Sequence, residues 1–443
     1  MRKRMTHWIA WSLAMILILG LMTGCGTAAG KEETTGAAVE ETSAGSEGST
    51  KLDLGKNGAQ VMQLGQAMPT GDMGKVLELS DMKEYTQEDV DRVDRAIRAY
   101  TPSVSEGLLI NNSSKFYYYD SIPKEAQDFY DAMYMVAEDP VSADYYISVT
   151  MDQPLTKDDF THYYYLAYQA MCFDHPELFW LYNGSKTSIG AGSQDSQTFY
   201  FGMEESYSTF EDDMKTFNAA VDTFLADIDP NASELDKARQ VHDKLCQLVT
   251  YDNKVLEMGD DPAAFVDLAH TSYGVLVANS RGDKNTAVCD GYSLAYQYLL
   301  TQLGMEAMVV PGKAGSDMNS LGGHAWNVVK IDGEWYEVDS TWDDNMMEIG
   351  SQIPTDIEGY EYIQEALSDM TYSEKLGHYL YGLTTPRIKD YTPEEDDYYY
   401  TKDGTHVLCL TGESKHYRAS EFDDMGEDGE LAGYLPQAVK SLY

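Results

Sequence analysis

The chain has 443 residues, with 31 Lys plus Arg against 74 Asp plus Glu and a formal net charge of −43. That balance disfavours phosphate backbones, and hence nucleic acid, as partners. It leaves open a long-range attraction to cationic or Lys-rich partners. The five cysteines, Cys25, Cys172, Cys246, Cys289 and Cys409, are too few for a disulfide scaffold, and no disulfide is expected.

The first residues read as an export signal over 1–24. Arg2, Lys3 and Arg4 precede a largely apolar stretch from Ile9 to Met22, too short for a membrane span and ended by Thr23-Gly24-Cys25. Leu21-Met22-Thr23-Gly24-Cys25 resembles a bacterial lipobox, with Met22 where Leu is usual. The resemblance implies lipid attachment at Cys25. Residues 25–55 are mostly Gly, Thr, Ser, Ala and Glu, a composition that cannot bury a core and suits a flexible tether.

A mainly helical region is expected over 75–230. Helices are predicted from Thr86 to Ala99, Lys124 to Glu138 and Leu155 to Met171, the last starting near Thr156. Thr198 to Met203 is a strand candidate. Tyr207 to Ile228 carries Phe210, Phe217, Val221 and Phe224 at helical spacing, with Ser208 as candidate cap. Pro230 to Ser233 breaks the chain. Asn231 or Ser233 can cap a helix running to Leu248 and opening a core unit over 231–345. The remaining 346–443 form an extension with a hairpin from Tyr398 to Leu410 that turns at Asp403-Gly404. Tyrosine runs at 117–119, 163–165 and 398–400 fit half-buried faces better than stacking platforms for sugars or peptides.

Two segments of the core unit carry chemistry. Leu294, Ala295, Tyr298, Leu299 and Gln302 recur at helical spacing and Gly304 supplies a stop, which puts Cys289 at a helix N-terminus. Unpaired amides and the helix dipole favour a thiolate there, and the Cys289 amide is a candidate oxyanion donor. Downstream, HAWNVVKI and EWYEVDST flank Asp332-Gly333, the signature of a two-residue type I′ hairpin. With that turn Ile331 faces Glu334, Val329 faces Tyr336 and Trp326 faces Asp339. His324, Trp326 and Asp339 then share one face of the sheet, and His324 and Asp339 are diagonal neighbours. A carboxylate so placed can fix the imidazole tautomer. Trp326 and Trp342 are candidate walls of a substrate pocket. His242 and Cys246 share a helix face but lack further metal ligands, and Asp343-Asp344 read as solvated loop carboxylates rather than a calcium loop. No metal or cofactor is expected.

The blocks YGVL…AVCDGYSLAYQYLL, HAWNVV and EVDSTWDD, between Asp236 and Asp344, resemble the transglutaminase-like superfamily, in particular its bacterial secreted branch. DHPELFWL and VHDKLCQLVTYD look like upstream segments of the same branch. The resemblance implies an α+β, papain-like core in which a helix carrying the nucleophile Cys289 packs on an antiparallel sheet. It also implies His324 as general base and acid and Asp339 as its orienting carboxylate. The family contains cross-linking acyltransferases, peptidases, amidases and inactive members. The expectation is therefore a lipid-anchored thiol acyltransferase or hydrolase acting on amide bonds of protein or peptide substrates at the outer face of a bacterial membrane. The alternative is a non-catalytic envelope scaffold on the same fold.

Overall fold

A computed structural model describes residues 83–84, 116–193, 195–259, 261–344, 376, 378–393, 398–400, 407–409 and 413–442. The signal, Cys25, the tether and the helix expected from Thr86 to Ala99 lie outside the described residues.

After the short strand β1 (Lys83–Glu84), three helices open the described chain: α1 (Tyr117–Ser121), α2 (Lys124–Ala137) and α3 (Lys157–Asp174). Thr156 starts α3 as expected. Its side chain accepts from the Asp159 amide at 3.1 Å while the Asp159 carboxylate turns back to the Thr156 amide, a reciprocal cap that satisfies two orphan donors. Between and after these helices run β2 (Tyr145–Thr150), β3 (Ile189–Ser193) and β4 (Thr198–Met203). They form a four-stranded sheet in the order β1-β2-β4-β3, of which the sequence reading anticipated only β4.

Helix α4 (Phe210–Leu225) buries Phe210, Met214, Phe217, Val221, Phe224 and Leu225. It starts after the expected Ser208. Thr209 holds the cap position, and its hydroxyl bonds the Asp213 carboxylate rather than a backbone amide. Ser233 caps α5 (Glu234–Leu248) by accepting from the Asp236 amide.

Strands β5 (Thr250–Tyr251) and β6 (Thr286–Ala287) pair in parallel just before α6 (Cys289–Gln302). Then come β7 (Ala307–Gly315), β8 (Gly322–Ile331) and β9 (Glu334–Val338). The C-terminal residues add β10 (Tyr381–Leu383), β11 (Asp390–Tyr391), the pair β12 (Tyr398–Tyr400) and β13 (Val407–Cys409), β14 (Ser414–Arg418) and α7 (Gly426–Tyr434). The main sheet is six-stranded and antiparallel, in the order β10-β9-β8-β7-β14-β11. The C-terminal segment thus supplies strands on both sides of the central three. The two strands of the hairpin expected near Tyr398 pair, with Tyr398 opposite Cys409, its turn lying outside the described residues; β12 and β13 make their own two-stranded sheet, and β14 extends the main one.

Most buried apolar side chains form one connected cluster from Tyr118 to Leu435, so the helical region and the main sheet share a core, while Val255, Ala264, Ala269 and Val288 form a small second cluster. Tyr118 illustrates the join: fully buried, it donates its hydroxyl to the Val309 carbonyl on β7 at 2.5 Å. Tyr164 and Tyr165 are likewise buried, and Tyr117, Tyr119 and Tyr163 pack against this core, which accounts for two of the three tyrosine runs structurally.

Candidate functional site

The two segments singled out in the sequence meet at the start of α6 and the end of the β8–β9 hairpin. Cys289 is the first residue of α6, and the preceding Val288 is extended, continuing from β6. Pairing of Thr250 with Thr286 and Tyr251 with Ala287 pins the chain entering the helix. The next residue, Asp290, is buried. Its carboxylate receives His270 Nδ1 at 2.8 Å, the Tyr182 hydroxyl at 3.3 Å and the Gly291 amide at 3.1 Å. This anchor under the first turn, reaching into the N-terminal region through Tyr182, has no local sequence signature. Cys289 itself keeps partial access to solvent.

Asp332 and Gly333 have φ of 51° and 85°, the left-handed pair a type I′ turn requires. The register runs as expected, with Ile331 opposite Glu334, Val329 opposite Tyr336 and Asn327 opposite Val338. His324 and Asp339 therefore meet: Nε2 lies 2.6 Å from Asp339 Oδ2. Cys289 lies near enough to the same imidazole to help raise its pKa. Nε2 is committed to Asp339, which leaves Nδ1 as the ring nitrogen open to a thiol. Asp339 is fully buried and also accepts the Trp342 amide on Oδ1 at 3.0 Å.

The electrostatics follow from that geometry. Burial pulls the His324 imidazole down, but the Asp339 charge and hydrogen bond, helped by Cys289, prevail and push it up to about 10. Burial alone would raise Asp339. The His324 and His416 imidazoles overcome it and hold the carboxyl well below the usual carboxylate range. The other two described thiols differ from Cys289. Burial pushes Cys172 far up. It also pushes Cys246 up to about 12, against a pull from His242. Cys172, Cys246 and Cys289 are all free.

Two expectations need correction. Trp326 shares the face of His324, but it is 1 % exposed and its indole donates to buried Glu337 at 2.7 Å, so it packs inside rather than walling a pocket. Trp342 keeps partial exposure and sets its ring 6.0 Å from His324, so it alone of the two is placed to meet a substrate. Asp343 is not solvated, and Asp344 is only half-exposed. Asp343 is fully buried and accepts the Leu380 amide, and Asp344 accepts the Tyr292 hydroxyl at 2.6 Å.

Sequence reasoning missed His416 on β14, whose Nε2 reaches Asp339 Oδ2 at 2.9 Å. It also missed Arg418, two residues on, paired with Glu337. Of the His242 and Cys246 pair, the thiol donates to the Ser340 carbonyl at 3.3 Å, and the His242 ring lies between Asp243 and Asp343, each at 3.2 Å. Among the described residues two groups bring three possible ligand atoms together, His324–Asp339–His416 and His242–Asp243–His378. The first is the hydrogen-bonded site above. In the second, Asp243 accepts His378 Nε2 at 2.5 Å, and the Arg239 guanidinium lies 3.2 to 3.3 Å from the His378 ring nitrogens, a cation where a metal would need none.

A helix-borne thiol, a buried imidazole and a carboxylate on an antiparallel sheet define a mixed α+β domain of one class. The model of the transglutaminase-like superfamily matches residues 222–340, and these residues form a transglutaminase-like domain. Two curated relatives, the kyphoscoliosis peptidases of Homo sapiens and Mus musculus, are 27% and 26% identical over 147 residues. The matches cover 31% of this chain and 19% of each relative, so the likeness is confined to about a fifth of their length. A solved structure described as the crystal structure of a TGase aligns over 59% of both chains at 16% identity, with a TM-score of 0.24 that adds nothing to the assignment.

Proposed function

We propose that this chain is a thiol acyltransferase or hydrolase acting on amide bonds of protein or peptide substrates, with Cys289 as nucleophile, His324 as base and acid, and Asp339 as the group orienting His324. The observation that supports it is one imidazole bonded to a buried carboxylate and raised by a partly exposed thiol at a helix N-terminus. In the reacting form the Cys289 proton sits on His324, an imidazolium beside a thiolate. The thiolate adds to the substrate carbonyl carbon, and the developing oxyanion is met by the Cys289 amide at the start of α6. Collapse breaks the C–N bond, His324 gives its proton to the departing amine, and an acyl thioester remains. Water or a second amine, deprotonated by His324, attacks the thioester and restores the thiol.

The name of the curated relatives favours water as the acceptor. The test is a peptide-cleavage assay run beside incorporation of a labelled primary amine, each with Cys289→Ala as control. Cleavage lost in Cys289→Ala supports the peptidase reading, incorporation lost in it supports the transferase, and neither activity above the control favours a non-catalytic scaffold. We also propose that Cys25 carries a lipid that holds the domain at the outer face of a bacterial membrane. Cys25→Ser then moves the protein from the membrane to the soluble fraction, and an unchanged partition contradicts the anchor.

A further inference from the structure

We propose that His416 is a positioning residue of this site: neutral and protonated on Nε2, it donates to the Asp339 oxygen that also receives His324, and so sets both the aim of that carboxylate and its hold on the His324 proton. The inference deepens the acyl-transfer reading, since it matters to chemistry only if His324 moves protons there.

The two imidazoles approach one atom. Asp339 Oδ2 lies 2.6 Å from His324 Nε2 and 2.9 Å from His416 Nε2, while Oδ1 is taken by the Trp342 amide. An ionised carboxylate has no proton to give, so both ring nitrogens must be donors. The other side of the His416 ring decides its charge. Nδ1 is buried and has no hydrogen-bond partner among the described residues. A proton there would be a buried donor of an extra positive charge with nothing to accept it, whereas an unprotonated Nδ1 leaves only a bare lone pair.

Its neighbours agree. His416 is 2 % exposed and packed edge-on to the rings of Trp326 and Trp342, at 5.4 and 5.1 Å. The charged groups facing it are Asp339 and Glu337 from the β9 side, and His324 from β8, 5.5 Å away between ring centroids. Arg418, next on that face of β14, spends its charge on Glu337. Burial holds the His416 imidazole below its ordinary value, against the pull of Asp339 and with the push of the His324 charge.

The consequence concerns His324. A carboxylate oxygen that accepts from two donors gives less of its charge to each. Removing the His416 donor leaves His324 alone on Oδ2, so its imidazolium becomes a weaker acid and yields its proton less readily to a leaving amine. A residue that merely filled space would alter stability without moving that proton equilibrium.

The test is long-range ¹H–¹⁵N NMR on the histidine-labelled full chain, with His324 and His416 assigned by single substitution. The wild-type chain should show His416 neutral with its proton on Nε2 at neutral pH. In His416→Leu the His324 titration should move up by about one pH unit. His416→Gln, whose amide can donate in place of Nε2, should bring it back towards wild type. A charged His416, an Nδ1–H tautomer, or an unmoved His324 titration in His416→Leu would overturn the assignment; the wild-type tautomer can be read even if the Leu variant does not fold. Alkylation of Cys289 reports the acyl-transfer reading separately. If Cys289 proves no more reactive than the other thiols while the tautomer and the His324 shift are as stated, that reading fails and the role of His416 in holding Asp339 stands.

Discussion

Asp339→Asn keeps the shape of the side chain and removes its charge. In the native chain His324 titrates near 10 against an ordinary value of 6.5. Between those values the folded state holds a proton that the unfolded state has lost. Stability from this group is therefore complete below 6.5 and falls as pH rises towards 10, by up to ~1.4 kcal/mol per pH unit. Breaking a buried pair by removing one partner costs about 3–5 kcal/mol, so Asp339→Asn should lower stability by that order at neutral pH. The penalty should then shrink by roughly 2–3 kcal/mol between pH 7 and 9, as the wild type loses what the variant never had. Comparing the two chains cancels the buried thiols and tyrosines, which titrate in both. The assay is urea denaturation of wild type and variant at several pH values. A penalty constant with pH would refute the reasoning, because the carboxylate would not then be holding a proton on His324.

Further outcomes follow from single contacts. Asp339 itself titrates well below its ordinary 3.8, so its contribution is present above that value and lost as the medium becomes more acid; the wild-type advantage over Asp339→Asn should collapse below about pH 3, read from acid titration of intrinsic fluorescence. Arg418→Met leaves buried Glu337 without its cation and should cost about 3–5 kcal/mol in urea denaturation, whereas a neutral result would mean the pair is dispensable. A Cβ at Gly312 would stand 2.2 Å from the Tyr417 carbonyl and 2.7 Å from the Trp326 ring, so Gly312→Ala must part β7 from β14. It should destabilise by about 3 kcal/mol, and an unchanged urea midpoint would contradict that close approach.

The sequence made the hairpin legible because every determinant is local. A two-residue turn with positive φ, alternating faces and matched strand lengths leave one register, and that register brings His324 to Asp339. The start of α6 was legible for the same reason. His416 was not, because β14 pairs with β7 from 100 residues further along the chain and such pairing leaves no mark in either strand. What signal existed was the alternation in Ser414–Arg418, where His416 and Arg418 share a buried face, a pattern that reads as readily as an exposed strand. Strand β3 was hidden by its composition: IGAGS is poor in β-branched residues and is held by its pairing to β4. Trp326 was placed on the correct face, but its depth depends on Glu337 and β14 covering it, and neither is local.

The central claim is that His324 activates Cys289. Its most direct test is the rate at which iodoacetamide modifies each cysteine of the folded chain, read by peptide mass spectrometry across pH. Cys289 should react well ahead of Cys172, Cys246 and Cys409, and His324→Ala should remove that lead. Equal rates for all four, or a lead that survives His324→Ala, would contradict it.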